Sequence, residues 1–271
     1  MNKHHLIIIY GIIAASLLII VYFRGTNTLR THDEIEALEE TVDFATYSAV
    51  CTLSESYGEP YVLNEVSREF FEAYSVYTDT TADDLWVYVP AFVFLDTNGF
   101  RVGGYDRTAA TYEWTPIRRY THSEGGLDIS FTLQDVVTFE LADEMVVVNK
   151  EDFFSTNKAA LPAQIRADII SAEDLLTRAG FTGFTASNYE KLKQSAMATC
   201  VSDVVTELIN RHNELTRDYG VDFIYSTPAF LDFDTRLPSF MVSFQGYPLT
   251  TNGKYYSNLV NRAAFLEEKW H

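Results

Sequence analysis

The side chains able to do chemistry in this chain are few and scattered. Two cysteines, Cys51 and Cys200, sit outside any CxxC pair, so the spacing supports neither a zinc site nor a thioredoxin-type motif. In an oxidising compartment they can form one disulfide; otherwise they pack as small hydrophobes, and the sequence leaves both open. Of six histidines (His4, His5, His32, His122, His212 and His271) only the adjacent His4 and His5 are close in sequence. His122-Ser123-Glu124 sets a base beside a hydroxyl, but neighbours on an extended chain point to opposite sides, so adjacency makes no triad. Asp96-Thr-Asn98-Gly99 holds a fragment of a calcium loop without its later Glu, and reads as a hairpin turn. Asp232 and Asp234 share one side of an extended segment, where paired carboxylates could do acid–base work. In a chain with 38 acidic residues a solvated face is the simpler reading. Arg118-Arg119 could meet an acidic partner, with a local salt bridge as the plainer alternative. There is no P-loop, no GxGxxG after a strand, no GxSxG elbow and no HExxH. Hence no catalytic, cofactor-binding or metal-binding residue is assigned, and Cys51 with Cys200 is the one pairing carried forward.

Composition narrows the classes. The 271 residues are 47% hydrophobic and 21% charged, as in an ordinary globular protein. With 20 Lys+Arg against 38 Asp+Glu the net charge is −18, a surface that repels phosphate backbones, so no nucleic-acid partner is expected. Aromatics reach 14%, which favours strands.

Residues 6–23, LIIIYGIIAASLLIIVYF, carry no charge, and twelve of the eighteen are Leu, Ile, Val or Phe. At about 1.5 Å per residue they extend about 27 Å, near the thickness of a hydrocarbon core. The stretch runs into Arg24 with no small-x-small cleavage site, so it reads as an uncleaved signal anchor in contact with membrane lipid rather than a signal peptide. Lys3 stands on one side and Arg24 and Arg30 on the other, which slightly opposes the charge rule for orientation. A tail of residues 1–5 is a poor translocated segment, so the expected topology is a single pass with a cytoplasmic tail and residues 31–271 outside the cell membrane.

The elements that position everything else follow from periodicity. Gly25–Thr28 reads as a polar break and Thr31-His-Asp-Glu34 as a capping box. Ile35, Leu38, Val42, Ala45 and Ala49 then form a heptad seam on a helix over 33–56. Packing within the domain is the expected use of that seam, and a homo-oligomer through helix 33–56 is the sharper alternative. Gly58-Glu-Pro60 ends that helix and Leu63–Tyr77 forms the next. LWVYVPAFVFLD, Asn98-Gly99 and FRVGGY read as a hairpin, followed by strands at 111–120, 128–132, 136–141 and 144–149. Leu161–Ala179 reads as a helix stopped by Gly180. Ser187-Asn-Tyr-Glu190 then caps a helix over 188–218, closed by Gly220. VDFIYSTPAF and SFMVSFQGY read as strands, and Tyr256–Trp270 as a terminal helix. The expected fold is α+β: an N-terminal transmembrane helix, then amphipathic helices packed on a mainly antiparallel sheet. With no Gly-, Pro- or Ser-rich linker, 31–271 reads as one domain, with 31–150 and 151–271 as the alternative subdomains.

The order of basic tail, apolar helix, amphipathic helix and strand-rich domain is similar to that of type IV pilin-like proteins. It departs from them in the tail, MNKHH, and in having no Glu within 6–23, so no family is assigned. The expected function is non-enzymatic: contact with other proteins in a bacterial envelope or surface assembly, pilus-like, secretory or conjugative. A membrane-anchored ligand-binding accessory module is the first alternative and an unrecognised enzyme the second.

Overall fold

A computed structural model of the chain describes residues 3–55, 62–78, 82–228, 236–251 and 253–263; for 3–15 and a few element ends only the backbone is described. The fold is α+β, with long helices packed on two antiparallel sheets. Helix α1 (Lys3–Glu55) is unbroken for 53 residues, about 80 Å of rise. The expected break and capping box are therefore absent. Thr28 Oγ1 donates to Arg24 O and Thr31 Oγ1 to Asn27 O, both at 2.8 Å, so the hydroxyls that could have capped a new helix bond one turn back instead. Among the described residues no helix is long and apolar enough to cross a membrane. The side chains of 6–15, more than half of the expected anchor, lie outside the described residues.

Helix α2 (Val62–Tyr77) packs on α1. After the short α3 (Ala82–Leu85) and a 3-10 turn at Trp86–Tyr88 comes β1 (Ala91–Asp96), so Pro90 stands just before the strand rather than inside it. β1 pairs with β2 (Gly99–Asp106) in a two-residue hairpin whose last pair is Asp96↔Gly99. The turn residues are Thr97 and Asn98, one position earlier than the Asn98-Gly99 signal. Gly99 is paired backbone: a Cβ there would lie 2.2 Å from Arg118 O. β3 (Thr111–Trp114) completes this part of the sheet, and β8 (Ser239–Pro248) and β9 (Tyr255–Ala263) return to its other side, giving the order β3-β2-β1-β8-β9. The first sheet therefore draws strands from both sides of residue 150. β9 replaces the expected terminal helix over its described length.

A second sheet was not expected. At residues 115–119 the chain leaves the first sheet through one bridge, Phe100↔Arg118. It then forms β4 (Tyr120–Glu124), β5 (Leu127–Phe131), β6 (Val136–Leu141) and β7 (Glu144–Asn149), in sequence order. The short α4 (Lys150–Phe153) leads to α5 (Ala163–Ala179), ended by Gly180 at φ 69°, and to α6 (Tyr189–Asp218). Asn188, not Ser187, is the residue before α6, and it makes no side-chain cap. Ser187 Oγ meets Thr185 Oγ1 instead, and Glu190 is drawn to Lys150.

Two cores explain the apolar runs. β1 is buried at every position from Ala91 to Leu95 because both faces of the first sheet are covered. Phe92 and Phe94 face a core shared with α1, α2 and β8, where Leu38, Val42, Ala45 and Ala49 of the seam are buried and Ile35 is packed alongside. Val93 and Leu95 face a second core shared with α5, α6 and the second sheet. The seam of α1 is thus filled from within the chain. Glu34 adds a polar tie: the N–H and Oγ1 of Thr250 donate to its Oε1 at 2.7 and 2.9 Å, and Thr251 Oγ1 to its Oε2 at 2.7 Å. Burial pushes this carboxyl up, and the donors together bring it below its ordinary value.

Candidate functional site

The sequence candidates do not converge. His122 Nε2 lies 3.3 Å from Glu124 Oε2 on one face of β4, while Ser123 Oγ donates to Asp128 Oδ1 at 2.6 Å on the other. The alternation of the strand separates base from hydroxyl, as the extended-chain argument requires. Asp96 Oδ1 accepts from Thr97 N at 2.6 Å within the hairpin turn. Among the described residues no group of three or more His, Cys, Asp or Glu is placed to hold a metal. Arg119 Nη1 is 3.9 Å from Glu140 Oε2, an exposed local pair, and Arg118 is exposed with its backbone in the bridge. Asp232 and Asp234 lie outside the described residues.

Of the two readings left open for the cysteines, the structure has free thiols at both, and the layering gives the reason. α1 packs on the Phe92 face of the first sheet and α6 on the Val93 face, so the sheet stands between the two helices that the bond would have to bring together. Cys51 is half-buried on α1. Cys200 instead serves β4, a terminal strand of the second sheet. Thr121 N donates to Cys200 Sγ at 3.4 Å, and Sγ donates to Thr121 O at 3.2 Å. One thiol thus satisfies both outward backbone groups of Thr121, and burial pushes that thiol up, away from reactivity. Cys200→Ala should cost about 1–3 kcal/mol by orphaning two part-buried groups, whereas Cys200→Ser, which keeps a donor and an acceptor, should cost less than about 1 kcal/mol. Chemical denaturation of both variants checks this, and equal losses would dismiss the edge-capping role.

Two buried polar groups were not singled out from sequence. Lys193 is fully buried in α6; its Nζ donates to Leu133 O at 3.2 Å and to Asp135 Oδ1 at 2.7 Å. Lys150 Nζ donates to Asp135 Oδ2 at 3.1 Å, and Tyr189 OH to Oδ1 at 3.2 Å. Burial pushes Asp135 up, and the two lysines bring its carboxyl below the ordinary range. Asp135 has φ 60°, a left-handed turn conformation that suits Asp better than a branched residue. The network pins the β5–β6 turn to α6 and uses its charges on itself. His212, also on α6, is 2% exposed; its Nε2 donates to Val87 O at 2.9 Å among Trp86 and Tyr225. The signal for both was present: Tyr189, Lys193 and Met197 share one stripe of α6, as do Val205, Ile209 and His212, so a polar residue in either stripe is a buried one.

Among the described residues a groove of about 710 Å³ lies between α2 and the β2–β3 hairpin. Asn64, Glu65 and Arg68 of α2 form one wall, and Phe71, Trp86 and Tyr112 its floor. Trp86 is held by a stacked Tyr105, ring centroids 4.4 Å apart at 9°. Arg68 Nε is 3.5 Å from Glu72 Oε1, an exposed pair that contributes little to stability. That volume falls within the size range of small-molecule clefts, and the lining mixes aromatic with polar side chains. Elsewhere the conspicuous surface is apolar: Leu17 to Phe23 on α1 are 51–71% exposed, and Leu29 63%. Compared with known proteins, the chain matches no family model, no curated protein and no solved structure.

Proposed function

We propose that this chain is a single-pass membrane protein, anchored by residues 6–23, whose domain over 31–271 stands outside the cell membrane and makes non-enzymatic contacts with other proteins of a bacterial envelope or surface assembly. One observation carries the reading. The same unbroken helix is buried in the domain core at Leu38, Val42 and Ala45 and bare at Leu17–Phe23, so an apolar rod projects from an otherwise acidic domain. Covering seven consecutive apolar or aromatic residues is favourable by about 25 cal/mol per Å² of apolar surface, and lipid is the cover that the uncharged run 6–23 suits.

Fractionation and protease protection test this. The full chain produced in a bacterial host should stay with membranes through alkaline carbonate and leave them with detergent. Protease added to intact cells or spheroplasts should remove the domain. A carbonate-soluble chain would end the anchor, and a fully protected domain would reverse the topology. The groove beside α2 favours a second reading, a membrane-anchored accessory module that takes a small ligand against Trp86 and Tyr112.

A further inference from the structure

Leu29, Ile224 and Tyr255 are exposed apolar or aromatic side chains at one end of the domain, the end from which α1 leaves it. Thr31 Oγ1 of α1 lies 3.0 Å from Thr251 Oγ1, and Glu34 accepts from Thr250 and Thr251. The turn between β8 and β9 is thereby fixed beside the base of the bare helix. Leu249 N donates to Lys254 O at 2.8 Å and closes that turn, and Tyr255, the next residue, is 51% exposed. The ring of Phe223 stands 5.0 Å from that of Tyr255. It also fills the space over Gly246 of β8, where a Cβ would lie 2.7 Å from Phe223 Cδ1. Its neighbour Ile224 is 81% exposed, and Leu29 on α1 is 63% exposed. Tyr225 N donates to Asn213 Oδ1 and Ser226 N to Gln245 Oε1, so the segment that presents Ile224 is tied down beside the turn.

The apolar run fixes what lies beneath this end. Thr31 is eight residues beyond Phe23, about 12 Å of helical rise, and the headgroup layer outside a hydrocarbon core is about 5–8 Å deep. With residues 6–23 in the bilayer, the β8–β9 turn stands within a side chain's length of that layer. The charge there permits contact. No Asp or Glu occurs before Asp33, and Arg24 and Arg30, both exposed, lie between the apolar run and the domain. They offset Asp33 and Asp222 in a chain whose net charge is −18. Tyr is a residue of membrane interfaces, and an exposed Ile is covered at the boundary of headgroup and acyl chain. The second sheet lies at the other end. Cys200, which meets β4, precedes Asp218 at the end of α6 by 18 residues, about 27 Å of helix.

We propose that this end of the domain is a second membrane contact, in which Ile224 and Tyr255 enter the headgroup layer of the phospholipid bilayer that holds residues 6–23, and Arg24 and Arg30 meet its phosphates. The inference rests on the anchoring reading and holds for either leaflet.

The test uses the full chain in nanodiscs of phosphatidylcholine and phosphatidylglycerol, with an NBD fluorophore on single introduced cysteines. Cys51→Ser is the background, because Cys200 is engaged by Thr121. Headgroup-nitroxide lipid should quench a label at Ile224→Cys at least threefold more than one at Ile170→Cys, which is 66% exposed on α5 beside the second sheet. Tyr255→Asp should lower the quenching at 224 at least twofold. Acyl-chain nitroxide should quench a label at Leu18→Cys, which reports the anchor alone and should not respond to Tyr255→Asp. Quenching at 18 with equal headgroup quenching at 224 and 170, or no change at 224 in Tyr255→Asp, would overturn the proposal and leave the anchor standing. No quenching at 18 would overturn both. Should Tyr255→Asp misfold, the comparison of 224 with 170 still decides.

Discussion

Phe92→Ala lowers the stability of the domain by about 3–5 kcal/mol, the range for emptying a large aromatic site in a packed core. Phe92 is fully buried on the central strand β1, and its ring touches parts of the chain far apart in sequence. Phe70 and Phe71 of α2 stand edge-on with centroids at 5.3 and 5.8 Å, and Tyr112 of β3 lies at 4.8 Å. Phe240 of β8 stacks at 5.5 Å and 25°. The neighbours belong to a helix and two further strands, so they cannot all move inward together, and the site collapses poorly. For a domain of this size the loss corresponds to roughly 10 °C in Tm. Val76→Ala, at a side chain 77% exposed on α2, supplies the comparison and should stay within about 0.5 kcal/mol. Thermal denaturation of both variants decides the matter; a Phe92→Ala loss no larger than that of Val76→Ala would mean that α2 does not pack on β1 as described.

How much of this fold is legible in the sequence depends on whether a segment's signal is local. The β1–β2 hairpin, strands β5 to β7 and helices α2 and α5 carry their own periodicity and turn residues, and they lie within a few residues of where the sequence places them. β9 does not. NLVNRAAFLEE has the Leu, Ala and Glu content of a helix, yet the nine-residue pairing with β8 sets the state of Tyr255–Ala263, with Tyr256 and Val260 buried on one face. The opposite error occurs at 221–228. Tyr225 N donates to Asn213 Oδ1 and Ser226 N to Gln245 Oε1, so side chains from α6 and β8 take the bonds that a neighbouring strand would have taken. The apolar run at β1 shows burial on both faces without saying that two different cores supply it, and the separation of Cys51 from Cys200 follows from that second core. Of the candidate sites, the groove wall of α2 was legible as a helix. Its floor was not, because Trp86, Tyr105 and Tyr112 meet only through the packing of the 3-10 turn against the hairpin.

Acidification should destabilise the domain through His212, and the sign follows from its surroundings. Nε2 donates to a carbonyl, so it carries the proton of the neutral ring and Nδ1 is left as a bare acceptor. Nδ1 is buried with no hydrogen-bond partner among the described residues. Protonation would place a charge between the edge of Trp86, centroids 5.7 Å apart, and the ring of Tyr225 at 4.6 Å. Burial therefore pushes the imidazole down to about 4, with the bond to Val87 opposing, against an ordinary value of 6.5. The unfolded chain takes up the proton first. The contribution of His212 is fully present above pH 6.5, falls as the pH drops through that value, and is lost by about pH 4. The loss reaches about 2.5 kcal/mol at pH 4.5 by linkage arithmetic. Carboxylates such as Asp135 and Glu34 titrate in both wild type and variant, so a difference isolates the histidine. His212→Phe keeps the ring contacts and orphans Val87 O at every pH, a constant offset. Denaturation at pH 7.5 and 4.5 should show wild type losing about 2.5 kcal/mol more than His212→Phe, and parallel losses would remove His212 as the cause. Val87 adjoins Trp86, so the groove floor is the part of the surface nearest to this bond. Trp86 fluorescence should therefore respond over the same pH range in wild type and not in the variant.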